Sequence, residues 1–156
     1  MSTLSKDTAT TVPVVLAVVG VLGFLTLVTS DQSVTLNGRS AIFWCAALAL
    51  GVQWLARFPA SLLQSERFYD LTGGLTYLAV TAFSLWAGAT YASPSAREWI
   101  LSAVVAIWAV RLAGFLFLRI HRAGKDGRFD ELKTSPVRFL IPWSLQALWV
   151  FVTLNV

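Results

Sequence analysis

Five apolar runs, at residues 12–29, 41–56, 71–90, 99–120 and 137–156, leave this chain few ways to fold. A helix needs about 20 mostly apolar residues to cross roughly 30 Å of hydrocarbon, and inside that layer each backbone N–H and C=O must find a partner without help from water. Runs of this length read as helices rather than strands. The expected fold is therefore all-α: a polytopic membrane helix bundle of about five transmembrane helices over 12–156, behind a polar tail at 1–11, with almost no strand. Composition agrees, since 56% of the residues are hydrophobic and 13% charged, whereas soluble domains carry about 25% charge. Pro13 falls near the expected first helical turn, where its missing N–H costs nothing. The weakly charged tail does not resemble the n-region of a cleaved signal peptide.

Basic residues between the runs set an expected orientation. With the amino terminus in the cytoplasm, that side carries Lys6, Arg57, Arg67, Arg119, Arg122, Lys125, Arg128, Lys133 and Arg138, and the other side only Arg39 and Arg97. This asymmetry predicts a cytoplasmic amino terminus in an integral membrane protein, of the endoplasmic reticulum in a eukaryote or the cytoplasmic membrane in a bacterium. The net charge of +4 sits in short connections, so it reports orientation rather than a nucleic-acid surface, and the expected partner is membrane lipid. Cys45 is the single cysteine and His121 the single histidine. No disulfide and no metal site can be drawn from them. No phosphate-binding glycine loop has the required spacing.

Two charges are out of place. In RFYDLTGGLTYL, Asp70, Gly73, Gly74, Tyr77 and Thr81 fall on one helical face, a small and polar stripe suited either to close helix packing or to a ligand. Asp70 suits a capping position or the positive end of a helix. Arg111 lies inside the fourth run, eight residues before Arg119, or about 12 Å deeper along a helix. Facing lipid there costs roughly 2.5 to 3.5 kcal/mol or more. Arg111 is expected to face protein, water or a ligand, flanked by Trp108 and Phe115, and its expected partner is Asp70. Gln53 and Gln146 read as hydrogen-bonding groups between helices, and Glu66 and Arg67 as interfacial charges. In the long connection after the fourth run, AGKDG reads as a turn and Ser135-Pro136 as the start of the fifth helix.

Three stretches, ERFYDLTGGLTYL, WAVRLAGFLFLRIHRAGKDGRFDELK and RFLIPWSLQALWVF, together resemble the amino-terminal half of uncharacterised membrane proteins grouped with the steroid 5-alpha-reductase superfamily. The resemblance covers about residues 41–156. It implies an NADPH-dependent reductase of an activated carbon-carbon double bond in a lipid or steroid-like substrate. On that reading Tyr77 is the hydrogen-bond donor to the enone carbonyl, Asp70 and Arg111 orient the pocket, and Arg119, Lys125 and Arg128 contact the nucleotide phosphates. The superfamily's Arg-His-Pro-Asn-Tyr-type motif followed by Gly-Glu does not occur in this sequence. The chain is thus expected to be the amino-terminal part of a longer architecture, with weak and salt-sensitive NADPH binding by itself. The competing expectation is a small non-catalytic membrane protein whose polar residues hold its helices together.

Overall fold

The computed structural model describes residues 3–124 and 126–155. Five α-helices make up the fold: α1 (Thr3–Thr29), α2 (Ala41–Leu62), α3 (Tyr69–Tyr91), α4 (Ala96–Ala123) and α5 (Leu140–Leu154). Between α1 and α2 lie a 3-10 turn at Ser30–Gln32 and a minimal hairpin, β1 (Thr35–Leu36) and β2 (Arg39–Ser40), paired antiparallel. Its loop is Asn37-Gly38, both at positive φ (50° and 75°), the conformation that matches a two-residue turn to the twist of its strands. The all-α expectation is met.

Helix boundaries depart from the apolar runs for local reasons. α1 starts in the polar tail at Thr3, placing Pro13 well inside it rather than in its first turn. α4 starts at Ala96 because Ser95 and Glu98 form a reciprocal capping box that satisfies exposed N–H groups. Gly124, at φ 82°, ends it. Ser135-Pro136 does not open α5. Residues near it form turns, and the helix begins at Leu140.

Three helical segments, Ser5–Thr29, Ala41–Leu62 and Ala96–Ala123, are long and apolar enough to cross a membrane. The five expected helices are present, and three of them have the length and apolar character that a crossing needs. α5 has 15 residues, about 22 Å of helix. α3 is long, at 23 residues, but more polar, and it lies against α2, α4 and α5. Several of its polar groups are hydrogen-bonded: Gln53 Nε2 of α2 donates to Thr76 Oγ1 at 2.9 Å, Thr76 Oγ1 donates to the Thr72 carbonyl one turn earlier, and Tyr77 shares a 2.6 Å hydrogen bond with Thr153 of α5, whereas the buried Thr81 hydroxyl has no partner among the described residues. Trp54 Nε1 similarly donates to Ser144 Oγ at 3.0 Å between α2 and α5.

The adjacent glycines set how closely α3 is packed. A Cβ on Gly74 would collide with Ala113 Cβ of α4, and one on Gly73 would lie 2.5 Å from Gln146 Nε2 of α5. The double glycine therefore opens α3 to two helices at one level. Buried Ala49, Tyr77, Val80, Ala109, Ala147 and Val150 form the central core around it. Val18, Leu22, Ala46 and Phe151 hold α1 to α2 and α5.

Candidate functional site at the loop end of the bundle

The α2–α3 turn and the α4–α5 connection meet at one end of the bundle. Glu66 joins them. Its backbone carbonyl accepts from the Tyr69 N–H at 2.9 Å, setting the first turn of α3. Its carboxylate accepts from the Asp126 N–H at 2.9 Å and from Lys133 Nζ at 3.0 Å. Glu66 is only 5% exposed. Burial pushes its carboxyl upward, but the Asp126 N–H and the Lys133 ammonium outweigh burial and hold it below the ordinary glutamate range. Lys133 also reaches Asp130 Oδ1 at 3.1 Å, and its pKa is raised, chiefly by the hydrogen bond to Glu66.

Below this polar clasp is an aromatic floor. Tyr69 packs against Phe129 and Trp143 with ring centroids 4.8 and 5.2 Å away, and its hydroxyl donates to the Pro142 carbonyl at 2.9 Å. Phe139 closes the cluster beside Phe129 and Trp143. The connection is thus pinned by an ion pair on one side and buried rings on the other. This anchoring role of Glu66 differs from the interfacial charge expected of it. Its Lys133 partner lies 67 residues farther along the chain, so no local pattern announces the pair.

The six candidate site residues fall in separate places. Asp70 is half-buried in the first turn of α3 without a capping hydrogen bond, and the charges acting on it are those of Arg128 and Arg119, opposed by that of Asp126. The Arg128 guanidinium is held by Asp126, donating from Nε at 3.0 Å to each carboxylate oxygen, and lies over the Phe129 ring. Hydrogen bonding to Asp126 raises the Arg128 pKa and lowers that of Asp126. Arg119 is exposed at the same end. Lys125 lies outside the described residues. Asp70, Arg119 and Arg128 therefore come together, in an arrangement that is cationic but already partly neutralised.

Arg111 does not join them. The expected Asp70–Arg111 ion pair is absent: Arg111 is exposed on α4, and neither an ion pair nor a hydrogen bond links it to any described residue. The reason is the seam between α3 and α4. Ala109 and Ala113 are the buried small residues that meet Gly74, and Arg111 stands two residues from each, about 200° around the helix. This small-xxx-small spacing was the signal in the sequence that fixed the rotation of α4.

Tyr77 is buried between α3, α4 and α5, with its ring edge-on to Trp108 at 5.1 Å. Its partner Thr153 lines a cleft of about 490 Å³ toward the opposite end, bordered by Val80, Thr81, Leu101, Val105 and Phe151. The expected hydrogen bonding of the span amides is observed for Gln53. Gln146 instead sets its amide over Gly73, and both amide oxygens, Gln53 Oε1 and Gln146 Oε1, lack partners.

A family model described as a protein of unknown function (DUF1295) matches residues 58–155. All six candidate residues fall within the matched segment, as do Glu66 and the double glycine. No curated protein and no solved structure matches the chain.

Proposed function

Since the chain belongs to the DUF1295 family of proteins of unknown function, we propose that this membrane protein forms the helical part of an NADPH-dependent reductase acting on the enone double bond of a lipid or steroid-like molecule. The observation that carries the reading is the pinned connection, which gathers Arg119 and Arg128 around Asp70 at one end of the bundle. This basic end faces the cytoplasm in the proposal, where the nucleotide is available. Guanidinium groups suit bidentate contact with phosphate oxygens. Arg119 is the freer of the two, because Arg128 must loosen its hold on Asp126. Lys125 is the third proposed phosphate contact.

NADPH, when bound, supplies hydride to the β carbon of the enone, and a proton completes the reduction at the α carbon. The residues of this chain contribute charge and orientation. Tyr77 O–H is the proposed donor to the carbonyl oxygen as it gains negative charge, through the cleft that Thr153 lines. Asp70 holds Arg119 and Arg128 by charge, while Arg111 is too far round α4 to orient the same pocket from within this fold.

A calorimetric titration of the chain in lipid nanodiscs tests the reading, with NADPH and ATP at low and physiological salt. Weak NADPH binding that fades with salt and falls further in Arg119→Met is expected. No NADPH binding at low salt overturns the proposal. Tight, salt-resistant binding that prefers NADPH to ATP would place a complete cofactor site within these residues.

The hydrogen-bonded pairs Gln53–Thr76, Trp54–Ser144 and Tyr77–Thr153 favour a second reading, a non-catalytic membrane protein whose polar groups serve helix packing. Enone-dependent oxidation of NADPH by the assembled reductase, of which this chain is the proposed helical part, separates the two. The reductase reading requires it, with loss in Tyr77→Phe, whereas the packing reading requires Tyr77→Phe to change stability alone.

A further inference from the structure

Arg111 lies twelve residues after Trp99 and nine before Ile120, so it sits about 18 and 13 Å from the two ends of that apolar run. This is close to mid-bilayer. Its neighbours along the outer face of α4 are Ile100, Val104, Ile107, Phe115 and Leu118, all exposed. The face is an apolar stripe with one central cation, which has no ion-pair or hydrogen-bond partner among the described residues. Snorkelling frees basic residues near helix ends, but at the centre of a span it lowers the cost without abolishing it. A guanidinium in lipid at that depth costs roughly 2.5 to 3.5 kcal/mol or more, so an intramembrane cation of this kind calls for a partner.

We infer that the outer face of α4 binds a transmembrane helix from outside residues 1–156, one that is apolar on its contact face and carries an aspartate or glutamate at mid-bilayer depth opposite Arg111. Charge complementarity selects this occupant. A second copy of the chain cannot supply it, because none of the eight Asp and Glu residues falls inside the five apolar runs. A symmetric contact between two α4 faces would also bring two Arg111 side chains together. The apolar residues to either side of Arg111 supply van der Waals packing, and the carboxylate supplies two acceptors that match the guanidinium fork.

The test uses the full chain in phosphatidylcholine vesicles at pH 8, with a donor fluorophore near the amino terminus. Its probes are synthetic Leu/Ala transmembrane helices of about 23 residues with a central Glu, Leu or Lys and an acceptor fluorophore. The Glu helix is expected to associate at least about fivefold more tightly than the Leu helix, the scale of one interhelical polar contact. Arg111→Leu should erase that preference, Arg111→Lys should keep part of it, and Arg111→Glu should transfer it to the Lys helix. Equal association of the Glu and Leu helices with the wild-type chain overturns the inference. So does wild-type dimerisation that Arg111→Leu abolishes, which would make the occupant a second copy. Thermal unfolding guards against trivial loss: Arg111 is exposed and makes no ion pair or hydrogen bond with any described residue, so Arg111→Leu should not lower the midpoint. A large drop would place Arg111 inside the chain's own packing and likewise overturn the inference.

Discussion

Glu66 Oε2 accepts a hydrogen bond from Lys133 Nζ at 3.0 Å, and this contact fastens the α4–α5 connection to the start of α3. The carboxylate is almost wholly buried, whereas the Lys133 side chain keeps 19% of its exposure. Glu66→Ala leaves the Asp126 N–H without its side-chain acceptor and the Lys133 ammonium with Asp130 alone. A loss of about 1.5 to 3 kcal/mol is expected, the usual range for hydrogen bonds to charged groups. The Glu66→Ala/Lys133→Met double variant should lose less than the sum of the single variants. Chemical unfolding in detergent measures all three, and strictly additive losses would mean that the pair is not coupled.

The same contact makes the connection pH-sensitive in a direction set by the two shifts. Glu66 is held below its ordinary range, so its contribution is complete above the unfolded glutamate value of about 4.3 and is lost as pH falls through the lower folded value. Lys133 is raised. Its contribution is complete below about 10.4 and is lost as pH rises through the higher folded value. Hydrogen exchange at Arg128 and Phe129 should stay slow, after correction for intrinsic rate, between about pH 5 and 10 and quicken beyond either limit. In Glu66→Gln the acid limb should flatten; an unchanged acid limb would assign the transition to another group.

The two glycines of α3 should differ in tolerance. Alanine at Gly74 meets Ala113 Cβ and, at 3.4 Å, the Ala109 carbonyl, so the helices must move apart. Alanine at Gly73 meets the end of the Gln146 side chain, which can rotate. Gly74→Ala is expected to cost about 1 to 3 kcal/mol, the range for overpacking a tight contact, and Gly73→Ala less. Thermal unfolding of the two variants decides the order, and a larger loss at Gly73 would mean that Gln146 is fixed in place.

Asp70→Asn and Arg111→Met should act independently. The residues share no contact, so their effects on stability should add to within about 0.3 to 0.5 kcal/mol. A double-mutant cycle in detergent checks this, and a coupling well above that range would restore the ion pair that the rotation of α4 rules out.

Orientation can be read by labelling in a Cys45→Ser background. Cysteines at Asn37 in the hairpin and Ser93 before α4 should react from one side of the membrane, and cysteines at Gln64 and Arg128 from the other, facing the cytoplasm. The reverse assignment would defeat the proposed cytoplasmic nucleotide contact. Reaction of all four from one side would defeat the bundle's placement across the membrane.

Run length and periodicity are local properties of the chain, and they suffice for the helical membrane class, the number of helices and most of their positions. The sequence also carried the reason for the glycines, since close approach of helices needs residues without bulk. Two of the five helices depart from the plain apolar pattern: α3 spends polar groups on Gln53 and Thr153, and α5 is short. Partnership was decided by the tertiary structure alone. Opposite charges at Asp70 and Arg111 suggested a pair, but the Gly74 contact with Ala109 and Ala113 turned α4 so that Arg111 points away. Glu66 looked like an ordinary interfacial charge until the fold carried Lys133 to it from 67 residues away. Sequence spacing sets which residues share a face of one helix, whereas the rotation of one helix against another is fixed by side-chain volumes meeting across the seam.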